Sequence, residues 1–378
     1  MNFTRIKHFS EKKLHQKKEA TRAIFIIGVR TNNGIINNMR EIQQWIDKDD
    51  APYDLYFVAD DDGQPLDHPE FNIMQVSKME CSASGYQHMI MTNGTVPNNA
   101  HVCGWDKTLY IISKLRSYDH YWLIEDDVWM NKIDALSTVD NKTLEYDMVC
   151  KELSMSLGHF PFVEELIHDN WRLNLNNGTA DRITWGGDFS SMYEYDRAKK
   201  MWSKDFYGAI ELYKQTNARP SPTQKWFYPN PHFQTLACAI RVSRRVINDI
   251  NKFVDDNQTL FMQEWIFSTM AYHNNYKVLM NQNEGQLRVL NRLSGDMKKY
   301  TNYSGAKDVL GYNLYHMEYE STTLSQELES HQCIDTRARI LYEHIIKWTG
   351  DPKNPIIFHP VKCTDIHTRA REIILSKT

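Results

Sequence analysis

Apolar residues in the first third of the chain follow two different spacings. Short, nearly unbroken apolar runs at 23–29, within 53–63 and at 121–124 are typical of buried strands. Between these runs, residues 35–46 and 105–115 carry apolar side chains at helical intervals. Strand, helix and strand in alternation predict an α/β fold, with a mostly parallel sheet covered by helices.

The second half of the chain returns to this pattern after a long interruption. Residues 151–235 mix loop signals with many aromatic residues and are hard to assign. After them we expect a strand, two helices, a strand, a helix and an apolar run, at 233–243, 243–254, 263–274, 276–281, 336–348 and 355–362. No internal repeat interrupts this order, so we expect one elaborated domain behind a basic arm at 1–22.

Composition and charge narrow the class of protein. A chain of 378 residues, 41% hydrophobic and 24% charged, is typical of a globular protein. A net charge of −4 gives no electrostatic reason to expect nucleic acid as a partner. The six cysteines form no C-x-x-C pair, and the N-terminus has no apolar core of a signal peptide. We therefore expect a reduced, cytoplasmic chain with no transmembrane segment.

Polar side chains follow each of the three early strands. They are Arg30 and Thr31 after the first, 60–62 after the second and 125–127 after the third. Ligands of parallel sheets gather outside the carboxyl ends of the strands, where these groups lie. Three adjacent carboxylates near a protein interior repel one another unless a cation or hydrogen-bond donors meet them. A solvated acidic turn is the alternative interpretation of each acidic group.

The apolar strand that leads into Glu125, Asp126 and Asp127 resembles the D-x-D-type motif of glycosyltransferases with the GT-A fold, some of which carry it as E-D-D. The helix that begins near residues 105–107 also resembles the element that touches the nucleotide-sugar in such enzymes. The resemblance implies a Rossmann-like, GT-A type fold with a mostly parallel mixed sheet flanked by helices. It further implies a nucleotide-sugar-binding half at 23–130 and an acceptor-binding half at 131–378.

The same resemblance implies roles for single residues. Asp127 would bind Mn²⁺ or Mg²⁺, with the late His359 as a further ligand. Hard oxygen ligands suit these ions, which share their coordination with substrate phosphates. The implied donor-binding residues are Arg30, Thr31, Asp60, Asp106, Glu125, Asp126 and Lys362. A plain polar turn at Asp60 and a structural histidine at His359 remain open.

Transfer to a hydroxyl needs a base, because an aliphatic hydroxyl is a weak nucleophile until its proton begins to leave. Glu264, at the start of a predicted helix, resembles the carboxylate of inverting enzymes, and Asp188 beside paired glycines is its rival. A first-turn acid that serves only the helix dipole is the alternative for Glu264. Core packing is the default interpretation of each single ring in the aromatic-rich middle of the chain. As a group, flat rings there could pack on sugar faces, and they include Trp185, Trp226 and Tyr228.

These expectations describe a divalent-metal-dependent hexosyl- or pentosyltransferase. It would move a sugar from a nucleoside diphosphate donor to a hydroxyl of a glycan or glycoprotein, with inversion. Two alternatives stay open. A sugar-nucleotide pyrophosphorylase would need a glycine-rich phosphate loop, of which VRTNNG is a poor version, and a carbohydrate-binding protein would keep the fold without turnover. The site of action would be the cytoplasm, a host's if the chain is viral, unless a membrane anchor lies outside this sequence.

Overall fold

The structure is a computed structural model, and it describes part of the chain. The described residues are 16–17, 19–63, 65–90, 99–150, 154–155, 233–234, 238–260, 263, 266–267, 270–271, 274, 276–280, 303–305, 313–316, 324, 326–349, 356–359, 361 and 363–377. Their strands are β1 (Arg22–Gly28), β2 (Tyr53–Ala59), β3 (Asn72–Gln75), β4 (His88–Ile90), β5 (Asn99–His101), β6 (His120–Glu125), β7 (Trp129–Met130), β8 (Met148–Cys150), β9 (Ser154–Met155), β10 (Phe233–Gln234), β11 (Ala239–Ser243), β12 (Val278–Met280), β13 (Tyr303–Gly305), β14 (Asn313–His316) and β15 (Ile356–His359). The helices are α1 (Asn33–Lys48), α2 (Lys78–Ala83), α3 (Gly104–Lys114), α4 (Ala135–Thr143), α5 (Arg244–Asn257), α6 (Ile334–Thr349) and α7 (His367–Lys377).

The main sheet within these ranges has eight strands in the order β13-β12-β8-β11-β6-β1-β2-β3. Its strands pair in parallel except at β11, which is antiparallel to both β6 and β8. Helices α3 and α5 pack on one face of the sheet, and α1 and α4 pack on the other. The predicted fold class, α/β with a mostly parallel mixed sheet flanked by helices, is confirmed.

Strand β1 reads as an unbroken apolar run because both of its faces are buried. Phe25 and Ile27 lie in the apolar cluster under α3, whereas Ile24 and Ile26 lie in the cluster under α1. Successive side chains of a strand point to opposite faces, so a strand between two helical layers needs apolar residues at every position. This burial fixes the register of β1 between its neighbours and thereby the positions of the residues that follow it.

A small sheet carries the end of the chain to the carboxyl edge of the main sheet. It has the order β14-β15-β7, and Phe358 of β15 pairs with Trp129 of β7, just beyond the third predicted acidic group. Two residues past β15, the Val361 N–H donates to the Asp127 carbonyl oxygen at 2.7 Å. Helix α7 then anchors to the same region, where Arg371 donates to the Met130 carbonyl oxygen at 3.1 Å.

The structure differs from the predicted elements at several places. The strand predicted over 233–243 is wrong as one element, because β10 pairs with β9 while β11 belongs to the main sheet. Strand β3 and helix α7 were not predicted. The arm predicted over 1–22 ends against the sheet, where the Lys17 backbone N–H donates to Asp54 Oδ1 at 2.7 Å. Among the described helices, each is too short or too polar to cross a bilayer, and the cytoplasmic location and the division into halves stay predictions.

Candidate functional site

The three early strands end side by side at the carboxyl edge of the main sheet. Strand β1 lies between β2 and β6, with Gly28 paired to Ala59 and Ile27 paired to Glu125. The residues that follow these strands therefore emerge at one edge. We call residues 60–62 the β2 turn and residues 125–127 the β6 turn; residues 29–31 lie between them.

The β6 turn sits directly over the end of β1. The Asp126 backbone N–H donates to the Ile27 carbonyl oxygen at 2.9 Å. A Cβ added to Gly28 would lie 2.1 Å from Asp126 Oδ2, so this position holds the carboxylate only while residue 28 is glycine. Glu125 Oε1 accepts a hydrogen bond from Trp105 Nε1 of α3 at 3.0 Å. Two of the three acids are thus held in defined positions by neighbouring elements.

Burial and like charge act together on Asp126. Burial, with the negative charges of Asp127 and Glu125 acting in the same direction, raises the pKa of this carboxyl to about 6, against lowering by the backbone N–H groups of Asp126 and Asp127. A carboxyl whose pKa is raised by neighbouring carboxylates lies in an excess of negative charge. A cation bound at the β6 turn would relieve that excess.

The β2 turn carries three acids as well, but cations of the chain meet them. Lys107 of α3 is fully buried, and its Nζ donates to the Asp60 carbonyl oxygen at 2.7 Å and to Asp62 Oδ1 at 2.5 Å. The same Nζ lies 3.3 Å from Asp60 Oδ1. Arg30, which follows β1, pairs with Asp61 at 2.8 Å. The acids of this turn are therefore held in place by basic side chains of the protein, which supply the positive charge.

Asp106 has a structural contact in this arrangement. Its Oδ2 accepts a hydrogen bond from the Cys103 backbone N–H at 2.8 Å and so caps the N-terminus of α3. The residue is buried among its neighbours. A contact between Asp106 and the nucleotide-sugar stays a prediction. The same holds for a contact between the nucleotide-sugar and Thr31, which follows β1 and is half-buried.

Several predicted residues lie outside the described ranges. They are Asp188, Glu264, Lys362, Trp185, Trp226 and Tyr228. The neighbours of Glu264 are described in part: Gln263 Oε1 accepts from Cys103 Sγ at 3.8 Å, and the Phe267 ring lies 6.0 Å from the Trp105 ring. The segment predicted to carry the base therefore contacts the beginning of α3.

The predicted metal ligands lie on adjacent segments of backbone. His359 ends β15, which pairs with β7, and β7 begins two residues after Asp127. Only the backbone of His359 is described. The hydrogen bond from the Val361 N–H to the Asp127 carbonyl oxygen joins the two segments. The structure thus brings together two stretches of chain that are more than two hundred residues apart.

Sequence reasoning missed His367, a buried residue near the β6 turn. Its Nε2 lies 3.0 Å from the Val361 carbonyl oxygen, and its own carbonyl oxygen accepts from Trp129 Nε1 at 3.0 Å. Burial lowers the pKa of His367 to about 4, with the charge of Arg371 acting in the same direction and that of Asp127 against it. The apolar residues Ala370, Ile373 and Ile374, spaced as on one face of a helix, were the signal that could have revealed this element.

The chemistry of the β6 turn fits a hard divalent cation. Among the described residues, no group of three or more His, Cys, Asp or Glu side chains is arranged to hold a metal ion alone. Mg²⁺ and related ions are usually held by one or two carboxylates, several waters and a substrate phosphate, so a complete protein cage is not required. Carboxylate oxygens from residues 125–127 and the raised pKa of Asp126 meet that description.

Comparisons with known proteins found similarity only among solved structures. No protein-family model matches the chain, and no curated protein matches it in sequence. The mannosyltransferase Ktr4p from S. cerevisiae aligns with 67% of this chain and 65% of its own, at 11% identity and a TM-score of 0.28. Core-mannan synthase A (CmsA/Ktr4) from Aspergillus fumigatus, in an Mn/GDP form, aligns with 69% of this chain and 72% of its own, at 9% identity and a TM-score of 0.27. The alignment spans just under two thirds of the yeast protein.

Proposed function

We propose that the chain is a divalent-metal-dependent glycosyltransferase that uses a nucleoside diphosphate sugar as donor and a hydroxyl of a glycan as acceptor. The observation that carries this proposal is the β6 turn. Its three carboxylates close a buried parallel strand, and the pKa of Asp126 is raised to about 6 by burial and by the acids on either side. A sheet edge that concentrates negative charge in this way suits a cation that in turn binds a diphosphate.

Different residues would bind the metal, the hydroxyls and the phosphates of the nucleotide-sugar donor. Asp127, with His359 from β15, would hold Mn²⁺ or Mg²⁺, which supplies charge neutralisation for the departing diphosphate. Glu125, oriented by Trp105 Nε1 at 3.0 Å, and Asp126, seated over Gly28, would accept hydrogen bonds from donor hydroxyls. Arg30 lies between the two turns and would face the phosphates when it leaves Asp61.

Proton transfer falls to the segment around Glu264. An acceptor hydroxyl attacks the anomeric carbon as its proton passes to a carboxylate, and inversion requires that carboxylate on the face opposite the diphosphate. Gln263 and Phe267 contact Cys103 and Trp105 at the start of α3, which supports a position for Glu264 near the β6 turn. Asp188 is the alternative base, and Trp185, Trp226 and Tyr228 would line the acceptor groove. Lys362 would meet the diphosphate from the side of β15.

A thermal-shift screen tests the proposal. Purified protein is heated with UDP, GDP, UDP-glucose and GDP-mannose, each with and without Mn²⁺. A ligand that binds only the folded state raises the midpoint by mass action, so at least one nucleotide is expected to do so only with the metal present. In Asp127→Ala the metal-dependent part of the shift should disappear.

Two results would overturn the assignment. If a nucleotide raises the unfolding midpoint equally with and without Mn²⁺, the protein does not bind the diphosphate through a metal. Stabilisation by glycans alone, with no nucleotide effect and no donor hydrolysis, would identify a carbohydrate-binding protein. Asp49→Ala, at an exposed acid just beyond α1, is the control for a general effect of charge removal.

A further inference from the structure

The beginning of α3 contacts the ends of all three early strands. Gly104 packs so closely that an added Cβ would lie 2.8 Å from Ile27 Cγ2 of β1 and 3.4 Å from the Asp60 Cβ of the β2 turn. From the same helical turn, Trp105 reaches the β6 turn and Lys107 reaches the β2 turn. One short piece of helix therefore contacts the end of β1 and both acidic turns.

Lys107 is the contact with the β2 turn. Its ammonium group is fully buried and is met by the Asp60 carbonyl oxygen at 2.7 Å, Asp62 Oδ1 at 2.5 Å and Asp60 Oδ1 at 3.3 Å. The other carboxylate oxygen of Asp62 accepts from the Lys78 backbone N–H at 3.0 Å. A buried lysine whose two hydrogen bonds both go to one turn fixes the path of that turn, because moving the turn would leave a charge without partners.

Trp105 is the contact with the β6 turn and with the segment around Glu264. Its indole N–H donates to Glu125 Oε1 at 3.0 Å, while its ring meets the Phe267 ring edge-on at 6.0 Å between centroids. The residue is almost completely buried. Any displacement of the Trp105 ring would move the hydrogen-bond donor of Glu125 and a packing partner of residue 267 together.

We propose that Lys107 and Trp105 are positioning residues, which set the distance between the nucleoside end and the metal end of the donor site. This inference rests on the proposed function and assigns the two ends to different residues of one helical turn. Lys107 acts through the β2 turn, where the predicted donor-binding residue Asp60 would contact the nucleoside part of the donor, remote from the metal. Trp105 acts through Glu125 on the path of the β6 turn, and so on the position of Asp127, the proposed metal ligand two residues further along. Neither side chain touches the reacting atoms.

The Lys107 end is tested with a double variant that removes the buried ammonium group together with the carboxylate charge of Asp62, its shortest contact. Lys107→Met with Asp62→Asn removes both charges, and the new amide oxygen can still accept from the Lys78 N–H. We expect faster amide hydrogen exchange at residues 60–63 and unchanged exchange at 125–128, both in the ligand-free protein. With Mn²⁺ present, affinity for UDP or GDP should fall by about 10- to 100-fold, as for the loss of other outer-shell partners, while affinity for Mn²⁺ alone stays the same. Lys114→Met, at an exposed lysine of the same helix, is the matched control.

The Trp105 end is tested with Trp105→Phe, which keeps an aromatic ring beside Phe267 and removes the indole N–H together with part of the ring volume. We expect faster exchange at 125–128 but not at 60–63. Affinity for Mn²⁺ alone should fall by about 10-fold or more. Trp122→Phe is the matched control, because it also deletes a buried indole N–H, the one that donates to Asp140 Oδ2 at 3.2 Å.

The outcomes separate this inference from the proposed function. Exchange that is unchanged at 60–63 and 125–128 in folded variants, or that changes equally at both, would overturn the positioning role. If neither UDP nor GDP binds the wild-type protein with Mn²⁺, the proposed function fails, while the exchange pattern of the ligand-free protein still decides whether the helical turn holds the two acidic turns. A Mn²⁺ affinity that falls equally in Trp105→Phe and Trp122→Phe would likewise overturn the inference, since it would reflect general loosening.

Discussion

The two acidic turns of the site have similar sequences and different electrostatics. The β2 turn places three aspartates beside Lys107 and Arg30, so that side chains of the protein supply the countercharge. In the β6 turn, the main influences on Asp126 are burial and the carboxylates of Glu125 and Asp127, all of which raise its pKa. An acidic run in a sequence is therefore not by itself a cation site. Acids that are paired with basic side chains of the protein stabilise the local fold, whereas acids that lie beside other carboxylates can bind a cation.

The difference also suggests why the two turns lie so close together. The proposed cation and diphosphate at the β6 turn would need a rigid neighbour that does not compete for the metal. The β2 turn meets this need, because its carboxylates already have cationic partners in Lys107 and Arg30. Substitutions that change one turn and leave the other intact should separate these two roles.

The largest effect is expected from Asp127→Ala. Without Asp127 the metal that would neutralise the departing diphosphate is no longer held. Loss of one such electrostatic stabilisation costs on the order of 10²- to 10³-fold in rate, so Mn²⁺-dependent hydrolysis of a nucleotide-sugar should fall by that factor. The unfolding midpoint of the metal-free protein should change little. A residual rate within a few-fold of the wild type would exclude Asp127 as the metal ligand.

Gly28→Ala should disturb the β6 turn, whereas Gly63→Ala should spare it. A Cβ at residue 28 would lie 2.1 Å from Asp126 Oδ2, while one at residue 63 would lie 2.8 Å from the carboxylate of Asp61. Overpacking at the first site is expected to lower the free energy of unfolding by about 2 kcal/mol and to abolish Mn²⁺-dependent nucleotide binding. Urea unfolding and nucleotide titration of the two variants give the comparison, and equal effects would contradict it.

Asp126→Asn should stabilise the metal-free protein at neutral pH. Because the folded-state pKa of Asp126 is about 6, the folded protein binds more protons than the unfolded chain between about pH 4 and pH 6, and stability falls as pH rises through that window. The neutral amide removes this loss, so the variant should gain about 3 kcal/mol at pH 7 and almost nothing at pH 4. Urea unfolding in the presence of a chelator measures both values. A gain that is independent of pH would show that charge is not its cause.

The smallest effect on stability is expected from Arg30→Ala. Its ion pair with Asp61 is about half exposed on the arginine side, and exposed pairs contribute about 0 to 1 kcal/mol. Nucleotide affinity should fall by about 10-fold if Arg30 turns to the phosphates, as loss of a charge-assisted hydrogen bond implies. Urea unfolding and nucleotide titration of this one variant separate the two roles of Arg30. Lost stability with unchanged nucleotide affinity would show that Arg30 only pairs with Asp61 and does not bind the phosphates.

Elements that the sequence predicts well are those specified by local pattern. The strands that precede the two turns, and the helices over residues 33–48 and 104–114, follow from apolar periodicity alone. Strand β3 is four residues long and has no alternation to distinguish it. Helix α7 carries a periodic apolar face, but His367 and Arg371 are also buried there, which hides the pattern.

Contacts between distant segments could not be predicted in this way. The role of Lys107 depends on packing against a turn 45 residues away, and its sequence neighbourhood is that of an ordinary helix. The sequence places a lysine near the site, but only the fold reveals that its ammonium group pairs with Asp62. The same holds for Val361, whose N–H meets Asp127 because β15 pairs with β7.

The most direct test is a Mn²⁺ titration followed by electron paramagnetic resonance, in which the signal of the free ion falls as the ion binds. The wild-type protein should bind Mn²⁺ more tightly when UDP or GDP is present, since the nucleotide completes the coordination. Asp127→Ala should lose this binding, and Asp61→Ala in the β2 turn should keep it. Equal Mn²⁺ binding by both variants, or binding that no nucleotide strengthens, would contradict a metal-held diphosphate at the β6 turn.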